Sequence, residues 1–336
     1  MTTTLPPVAA APKAGRRPSW LPGPRLLPTL ATFVLFVALF AAGSLRYEGF
    51  FAAQVVLNLF VDNAFLIVLA VGMTFVILTG GIDLSVGSVV ALSGVLAAKL
   101  LAAGWSPVPV MALVLLVGVT LGLAMGAVIQ YLDIQPFIVT LAGMFLARGL
   151  CYVISVESIP IRDPLFTTIA QTAIPLPGDT FISPSVVVAV VVVAVAAYVL
   201  HATRFGRTVY AVGGNAHSAM LMGLAVARTR VAVYAISGFC SALGGLLFTF
   251  YSLSGYSLAA VGVELDAIAA TVIGGTLLSG GAGLVVGSLL GVLVLGLIQT
   301  ILSFEGTLSS WWTKIVIGAL LLLFVVLQRI FVRRPA

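Results

Sequence analysis

The sequence predicts an all-α fold, namely a polytopic bundle of membrane-spanning helices. Of the 336 residues, 61% are apolar and only 8% are charged, and the mean hydropathy is +1.23. A soluble domain carries about 25% charged residues, so this chain has too little charge to cover a surface that faces water. Apolar runs such as residues 26–45 and 184–200 lack the alternation of a barrel strand, which excludes an outer-membrane β-barrel.

About ten apolar segments are long enough to be spans, at roughly 17–25 residues per helix. In chain order they are residues 26–45, 62–79, 86–103, 109–131, 136–155, 184–201, 231–253, 265–279, 284–303 and 312–331. The second, third, eighth and ninth border glycine-rich breaks, and re-entrant or broken helices there would change the count by one or two. Gly118, Gly122 and Gly126 predict that the fourth segment packs closely on another helix backbone.

Positive charge sets the predicted orientation of these spans. Basic residues cluster in the tail 1–25, in the segment 202–230 and in the last residues, 332–336 with Arg329 just before them. The positive-inside rule places all three in the cytoplasm, which ten spans with both termini inside satisfy. The sequence thus predicts a disordered cytoplasmic tail over 1–25, a transmembrane domain over 26–331 and a cytoplasmic end over 332–336. Within the transmembrane domain, it predicts a periplasmic loop over 156–183 and a cytoplasmic loop over 202–230.

Charged residues in or beside the apolar segments are few, and each needs a physical reason. A carboxylate at the bilayer centre costs about 2.5–3.5 kcal/mol. Asp62 and Asp83 each lie at or just before a predicted helix start, which favours helix capping over direct contact with a ligand. Arg148 lies deep in the fifth segment, where snorkelling, an interior salt bridge and contact with a polar solute all remain open.

Polar residues near the span ends and interiors form the candidate solute pathway. Interhelical hydrogen bonding is the common role of such neutral groups, and lining a path for a polyhydroxylated solute is the alternative. The predicted pathway residues are Asn63, Asp83, Ser85, Thr140, Arg148 and Gln299. Glu264 and Asp266 lie at the predicted outer mouth, where solvation at the rim is the default and docking of an external partner is the sharper hypothesis.

Several chemistries are excluded by missing motifs. The chain has no phosphate loop of the Gly-x-x-x-x-Gly-Lys-Ser/Thr type, and we expect neither an enzyme nor a cofactor bound by this chain. His201 and His217 have no cysteine close to them along the chain, so no metal site is predicted. The net charge of +6 arises from the orientation signals, so membrane lipid and not nucleic acid is the expected surface contact.

The inward segment contains one short predicted helix. Gly213 and Gly214 predict a turn, Asn215 is a suitable N-cap, and a helix from Ala216 would end at Gly223. Such a helix either presses into a groove on a partner protein or lies on the membrane surface.

Two motifs together resemble the ribose-type family of bacterial ABC sugar permeases. Asn215-Ala216-x-x-Ala219-x-x-x-Gly223 is similar to the variant coupling-loop motif of that family, and residues 80–88 are similar to its Gly-Gly-Ile-Asp-Leu-Ser-Val-Gly-Ser signature. The likeness extends from about residue 50 to 331. The stretches 62–65, 156–161, 262–269 and 306–314 resemble most the second permease subunit of galactofuranose importers.

The resemblance implies the partners and the machinery. It implies a homologous second permease subunit, a periplasmic sugar-binding protein, and ABC ATPase subunits that bind ATP and Mg. These ATPases would dock on a coupling segment comprising Gly213, Gly214, Asn215, Ala216, Ala219 and Gly223. It also implies location in the bacterial inner membrane.

Residue chemistry leaves the solute and the energy source open. Galactofuranose follows from resemblance, with ribose or another pentose or hexose as alternatives. An ion-coupled secondary transporter that uses Asp62, Asp83 or Arg148 as a relay, and a membrane scaffold without a pathway, are the hypotheses from other classes.

Overall fold

The computed structural model describes residues 27–306 and 311–332. The predicted disordered tail 1–25 lies outside the described residues, and so do residues 333–336 of the predicted cytoplasmic end. The helices are α1 (Leu27–Arg46), α2 (Ala53–Leu78), α3 (Val86–Ala102), α4 (Pro107–Tyr131), α5 (Pro136–Ile154), α6 (Pro164–Gln171), α7 (Pro184–Ala202), α8 (Arg204–Gly214), α9 (Ala216–Leu221), α10 (Val226–Ser252), α11 (Val263–Ile273), α12 (Val285–Glu305) and α13 (Trp311–Val332). The strands are β1 (Ile159–Pro160), β2 (Ile174–Leu176), β3 (Thr180–Ile182) and β4 (Ser254–Gly255).

Seven of the described helices are long and apolar enough to cross a membrane. They are α1, α2, α4, α5, α7, α10 and α12. Helix α3 and the stretch Trp311–Leu327 of α13 are shorter apolar helices. This confirms a polytopic helical membrane protein. The total of ten spans and the side of each terminus stay predictions.

Three predicted spans have the wrong bounds, and the seventh begins at Val226 instead of 231. The second helix starts at Ala53 instead of 62, so Asp62 and Asn63 lie in its interior and do not cap it. The segment predicted as a span over 265–279 is α11, which has 11 residues. At 1.5 Å per residue it is about 16 Å long, half of the roughly 30 Å of a hydrocarbon core. An irregular segment, 274–284, links it to α12.

Helices α2 and α10 form the centre of the bundle: α2 is the most deeply buried of the seven long apolar helices, and α10 packs along both α2 and α4. The predicted glycine face of α4 packs on α10: a Cβ added at Gly122 would lie 2.2 Å from the carbonyl oxygen of Tyr234, and one at Gly118 would lie 2.5 Å from that of Gly238. The same closeness joins α12 to α11, where a Cβ at Gly291 would lie 1.8 Å from the Ala270 oxygen. Small residues therefore let these helices approach closely, as packing in lipid requires.

The two ends of α7 lead to two different structures. The loop end carries residues 155–183, with α6 capped by Asp163, the β2–β3 hairpin, and β1 paired antiparallel with β4. Phe166 of α6 is fully buried against Phe250, at the end of α10. The other end, called the α9 end, carries α8 and α9. The two segments predicted to face opposite compartments therefore lie at opposite ends of one 19-residue helix.

Candidate functional site

Two capped helices form the segment that the sequence singles out for coupling. Thr203 caps α8 by accepting a hydrogen bond from Gly206 N (3.2 Å), and Asn215 caps α9 by accepting one from Ser218 N (2.8 Å). The N-cap prediction at Asn215 is confirmed. The turn predicted at Gly213 and Gly214 is wrong, because both residues belong to the last turn of α8.

Helix α9 ends close to the predicted residue. Gly223 has a φ of +78°, and Leu224 N donates to Ala219 O (3.1 Å), which closes the helix with a left-handed glycine. Ala219 is fully buried. We call the apolar residues Met220, Leu221 and Met222 the exposed patch, since they are 56%, 74% and 69% exposed. A short helix that buries an alanine and exposes three large apolar side chains can pack against another protein surface.

Backbone atoms of three segments meet at the end of α8: the last turn of α8 itself, the residues that follow α2, and the residues between α11 and α12. Gly281 N donates to Leu78 O at the end of α2 (2.9 Å). A Cβ at Gly213 would lie 1.7 Å from that same oxygen and 2.5 Å from Gly281 N, and one at Gly280 would lie 2.9 Å from Gly80 N. The contact between these segments, which we call the glycine junction, comprises Gly80, Gly213, Gly214, Gly280 and Gly281.

The glycine junction connects α8 to both broken regions of the bundle, residues 79–85 between α2 and α3 and residues 274–284 between α11 and α12. Tyr210 of α8 adds a side-chain link by donating from its hydroxyl to Gly283 O (2.8 Å). No side chain separates the three backbones at this point, so α8 lies in direct contact with both breaks.

Asp83 anchors the first break inside the bundle. Its carboxylate is fully buried; Oδ1 accepts from Ser85 N (2.9 Å) and Ser85 Oγ (2.6 Å), and Oδ2 accepts from Ser237 Oγ of α10 (2.6 Å). The carboxylate therefore holds the approach to α3 and ties it to α10. Tyr234 lies one turn away on α10, and its buried hydroxyl has no hydrogen-bond partner among the described residues.

The structure brings together three of the six predicted pathway residues. Thr140 donates to Ile82 O (3.3 Å) beside Asp83 and Ser85, so these residues share the first break. Asn63 donates to Leu59 O (2.9 Å) within α2, and Gln299 is exposed on α12. The role of all these residues in a solute path stays a prediction.

Arg148 and Glu264 bond to the loop after α10, whereas Asp266 joins α11 to α13. Arg148 donates to Ser257 O (2.6 Å) and Ala259 O (2.8 Å). Asp266 is 8% exposed and pairs with Lys314 of α13 at 2.8 and 2.7 Å, so solvation at the rim is wrong for this carboxylate. Glu264 accepts from Gly262 N (3.3 Å), and its second oxygen is buried without a partner among the described residues. Docking of an external partner there stays a prediction.

Asp62 is not among the predicted pathway residues, because the sequence favours a helix cap at this position. It lies in the interior of α2 and lines a cavity of about 290 Å³ at the loop end. An aspartate within a 26-residue apolar helix is the signal that would have found it, had the helix been started at Ala53. Among residues 27–306 and 311–332, no group of three or more His, Cys, Asp and Glu is arranged to hold a metal ion.

Comparison with known proteins places the chain among permeases. Residues 55–325 match the family model described as branched-chain amino acid transport system / permease component. The chain is 50% identical over 306 residues to the inner membrane ABC transporter permease protein YjfF of Escherichia coli K12, covering 91% of this chain and 92% of that protein. It is 42% identical over 335 residues to the fructose import permease protein FruG of Bifidobacterium longum, covering 98% and 97%. It is 38% identical over 312 residues to the ribose import permease protein RbsC of Haemophilus influenzae, covering 90% and 93%. No solved structure shows a significant match to the chain.

Proposed function

Because the chain belongs to the branched-chain amino acid transport system / permease component family, we propose that it is the permease subunit of an ABC importer that moves a monosaccharide into the cytoplasm. The relatives named for a solute carry the names of fructose, ribose and allose. The chain is a multi-pass membrane transport subunit, not an enzyme. ATP and Mg would then be bound by separate ATPase subunits.

The glycine junction is the observation that carries this proposal. A pathway driven by a separate ATPase needs a surface that the ATPase can grip and a rigid path from that surface into the bundle. The exposed patch supplies the surface, and the contact of Gly213 with Leu78 and Gly281 supplies the path. Movement of α8 and α9 on ATP binding would shift both breaks together, which couples the ATPase to an outward and an inward state.

The finer assignments follow from the sequence resemblance. We propose galactofuranose as the solute, with ribose or another pentose or hexose as the alternatives. A homologous permease subunit would complete the pathway as a heterodimer, and a periplasmic sugar-binding protein would deliver the solute. The bacterial inner membrane is the proposed location, and YjfF is named for that membrane.

Uptake by the reconstituted complex tests the energy source. The full chain is co-purified with its partner subunits and placed in proteoliposomes with labelled sugar. We expect uptake to require ATP and to be unaffected by a proton or sodium gradient. Uptake driven by an ion gradient without an ATPase subunit would instead favour a secondary transporter, for which the unpaired Asp62 is the candidate relay.

A matched pair of variants tests the exposed patch. Leu221→Asp places a charge on a side chain that is 74% exposed, so it leaves folding unchanged and removes an apolar contact. We expect loss of co-purification with the ATPase subunits, because a central interface residue contributes about 2 kcal/mol or more to binding. Leu45→Asp, which is 91% exposed at the end of α1, is the control and is expected to keep the complex intact. Normal ATPase binding by Leu221→Asp contradicts the assigned coupling surface.

A further inference from the structure

A half-open cavity of about 290 Å³ lies at the loop end of the bundle, away from the glycine junction. Helices α2 and α10 form its inner walls, and the end of α6, the β2–β3 hairpin and the start of α7 close it from outside. The lining side chains that matter here are Asp62, Phe65, Gln171, Ser183, Phe250 and Tyr251. Ligand pockets occupy roughly 300–1,000 Å³, so this volume fits one small solute.

Asp62 is the residue that the fold alone does not explain. It is nine residues beyond Ala53, so it lies about 14 Å along the helix axis at 1.5 Å per residue. Its side chain is exposed at the cavity, beside the last residues of α10 and the first residues of α7. Its carboxylate has neither a hydrogen-bond nor an ion-pair partner among the described residues, whereas Asp83 and Asp266 are both paired. A carboxylate within an apolar helix that has no partner in the fold but faces open space in a cavity is free to bind a polar solute, which indicates a functional site.

The other lining groups favour a neutral polar solute. Gln171 and Tyr251 add an amide and a phenol, and Ser183 has a buried hydroxyl without a partner among the described residues. A buried polar group without a partner costs free energy, which a bound hydroxyl would recover once Ser183 turns to another side-chain rotamer. The lining contains no lysine or arginine, so nothing in it compensates an anionic solute.

We infer that this cavity is a binding site for a single neutral monosaccharide, in which Asp62 accepts hydrogen bonds from sugar hydroxyls and the rings of Phe250 and Tyr251 contact the apolar face of the sugar. The inference rests on the proposed function and names a solute contact within it. Carboxylates accept strong hydrogen bonds from hydroxyl donors, and aromatic rings offer a flat apolar surface for the C–H groups of a sugar. The site lies at the loop end, where solute delivered from that side would enter first.

Protection of an introduced cysteine tests the site without any need for transport. Thr172→Cys places a thiol on an exposed residue of the cavity lining, and the native Cys151 and Cys240 are buried and so do not compete for the label. The complex in nanodiscs, without its binding protein, is labelled with a water-soluble thiol reagent. The probes are D-ribose, D-fructose, D-allose, galactofuranose as its methyl glycoside, sucrose and L-leucine.

We expect at least one of the monosaccharides to slow labelling, and sucrose to have no effect because a disaccharide exceeds the cavity. Adding Asp62→Asn keeps the side-chain shape and removes the charge. It should raise the half-protecting sugar concentration about tenfold, the order expected for the loss of one hydrogen bond to a charged group. Asp179→Asn makes the same change on the exposed turn of the hairpin, outside the lining, and should leave protection unchanged.

Three results would overturn the inference. They are an absence of protection by every monosaccharide, protection by L-leucine alone, and protection that persists unchanged in Asp62→Asn. Protection by the sugar-free binding protein that is lost in Asp62→Asn would instead assign the cavity to a protein contact and also overturn it. ATP-dependent uptake in the same preparation is an independent readout, so the cavity can fail while the proposed importer function stands.

Discussion

The α9 end and the loop end of the bundle differ in the size of their residues and in how closely those residues pack. At the α9 end, the backbones of α8 and of the two breaks touch through glycines, and at Gly213 there is no space for even one added carbon. At the loop end, large side chains surround about 290 Å³ of open space. We expect the first arrangement to transmit displacement and to exclude a side chain at Gly213, and the second to leave room for a ligand. Four variants test this contrast.

Gly213→Ala should have the largest effect. Its Cβ would lie 1.7 Å from Leu78 O, so α8 must move away from α2. We expect ATP-driven uptake to fall by roughly 5–150-fold, the range of ordinary coupling free energies. Uptake in proteoliposomes and ATPase binding are measured together. Gly214→Ala is the control, because Gly214 belongs to the same junction but a Cβ there meets nothing within 4 Å; equal loss in both variants would refute the close approach of Gly213 to Leu78 as the cause.

Ser237→Ala should lower the stability of the bundle by about 1.5–3 kcal/mol, because Asp83 loses one of the bonds that hold its buried charge. Thermal unfolding in detergent gives the change in stability. Ser241→Ala, four residues on, removes a hydroxyl that bonds only a carbonyl of its own helix, that of Ser237, and should cost clearly less. Equal losses would mean that Asp83 does not depend on Ser237.

Tyr210→Phe removes the hydroxyl that links α8 to Gly283 while keeping the ring. A neutral hydrogen bond contributes about 0.5–1.5 kcal/mol. The expected result is a small decrease in thermal stability together with a clear drop in ATP-driven uptake, since the bond lies on the path from α8 to the second break. An unchanged uptake rate would show that the backbone contacts alone carry the coupling.

Gln54→Ala should have the smallest effect and should act only at the loop end. Gln54 accepts a hydrogen bond from Phe181 N (3.0 Å) and donates one to Phe181 O (3.2 Å), which ties the hairpin to the start of α2. Loss of these hydrogen bonds should cost about 0.5 kcal/mol of local stability, because the site is exposed. It should speed hydrogen exchange of the hairpin amides and leave global unfolding unchanged. Asn58→Ala, which bonds only Gln54, is the control. Faster hydrogen exchange at the α9 end as well would contradict the prediction that Gln54 acts only at the loop end.

The sequence predicts best where a structure depends on neighbours along the chain. The bounds of α3, α4 and α5 lie within two residues of prediction, because proline or polar residues mark their starts. The cap at Asn215 and the left-handed glycine at Gly223 are equally local. The start of α2 was missed because a charged residue in a helix interior resembles a boundary until its cavity is seen.

The contacts between distant segments were beyond sequence reasoning. Gly80, Gly213 and Gly280 are separated by more than sixty residues at each step, and only the fold shows that their backbones touch. Helix α11 ends at Ile273 although the apolar pattern continues, since Gly275 adopts a φ of +99° against Pro28 of α1. In the same way, the pairing of Asp266 with Lys314 depends on a helix that begins 45 residues later.

Because α11 is only 11 residues long, helix α1 has a role at the end of α11. Carbonyl groups at the end of α11 have no continuing helix to bond with, and lipid offers them no donor. Two threonines of α1 supply donors: Thr32 bonds Ile273 O, and Thr29 bonds Gly274 O at 3.3 Å. Helix α1 is mostly exposed in this chain, with 11% of its apolar stretch buried. It nevertheless supplies hydrogen-bond donors to the carbonyl oxygens at the end of α11, which would otherwise face the hydrocarbon core. A shortened chain that starts after residue 50 would leave the carbonyl oxygens of Ile273 and Gly274 without these donors and exposed to lipid, even with every remaining helix inserted.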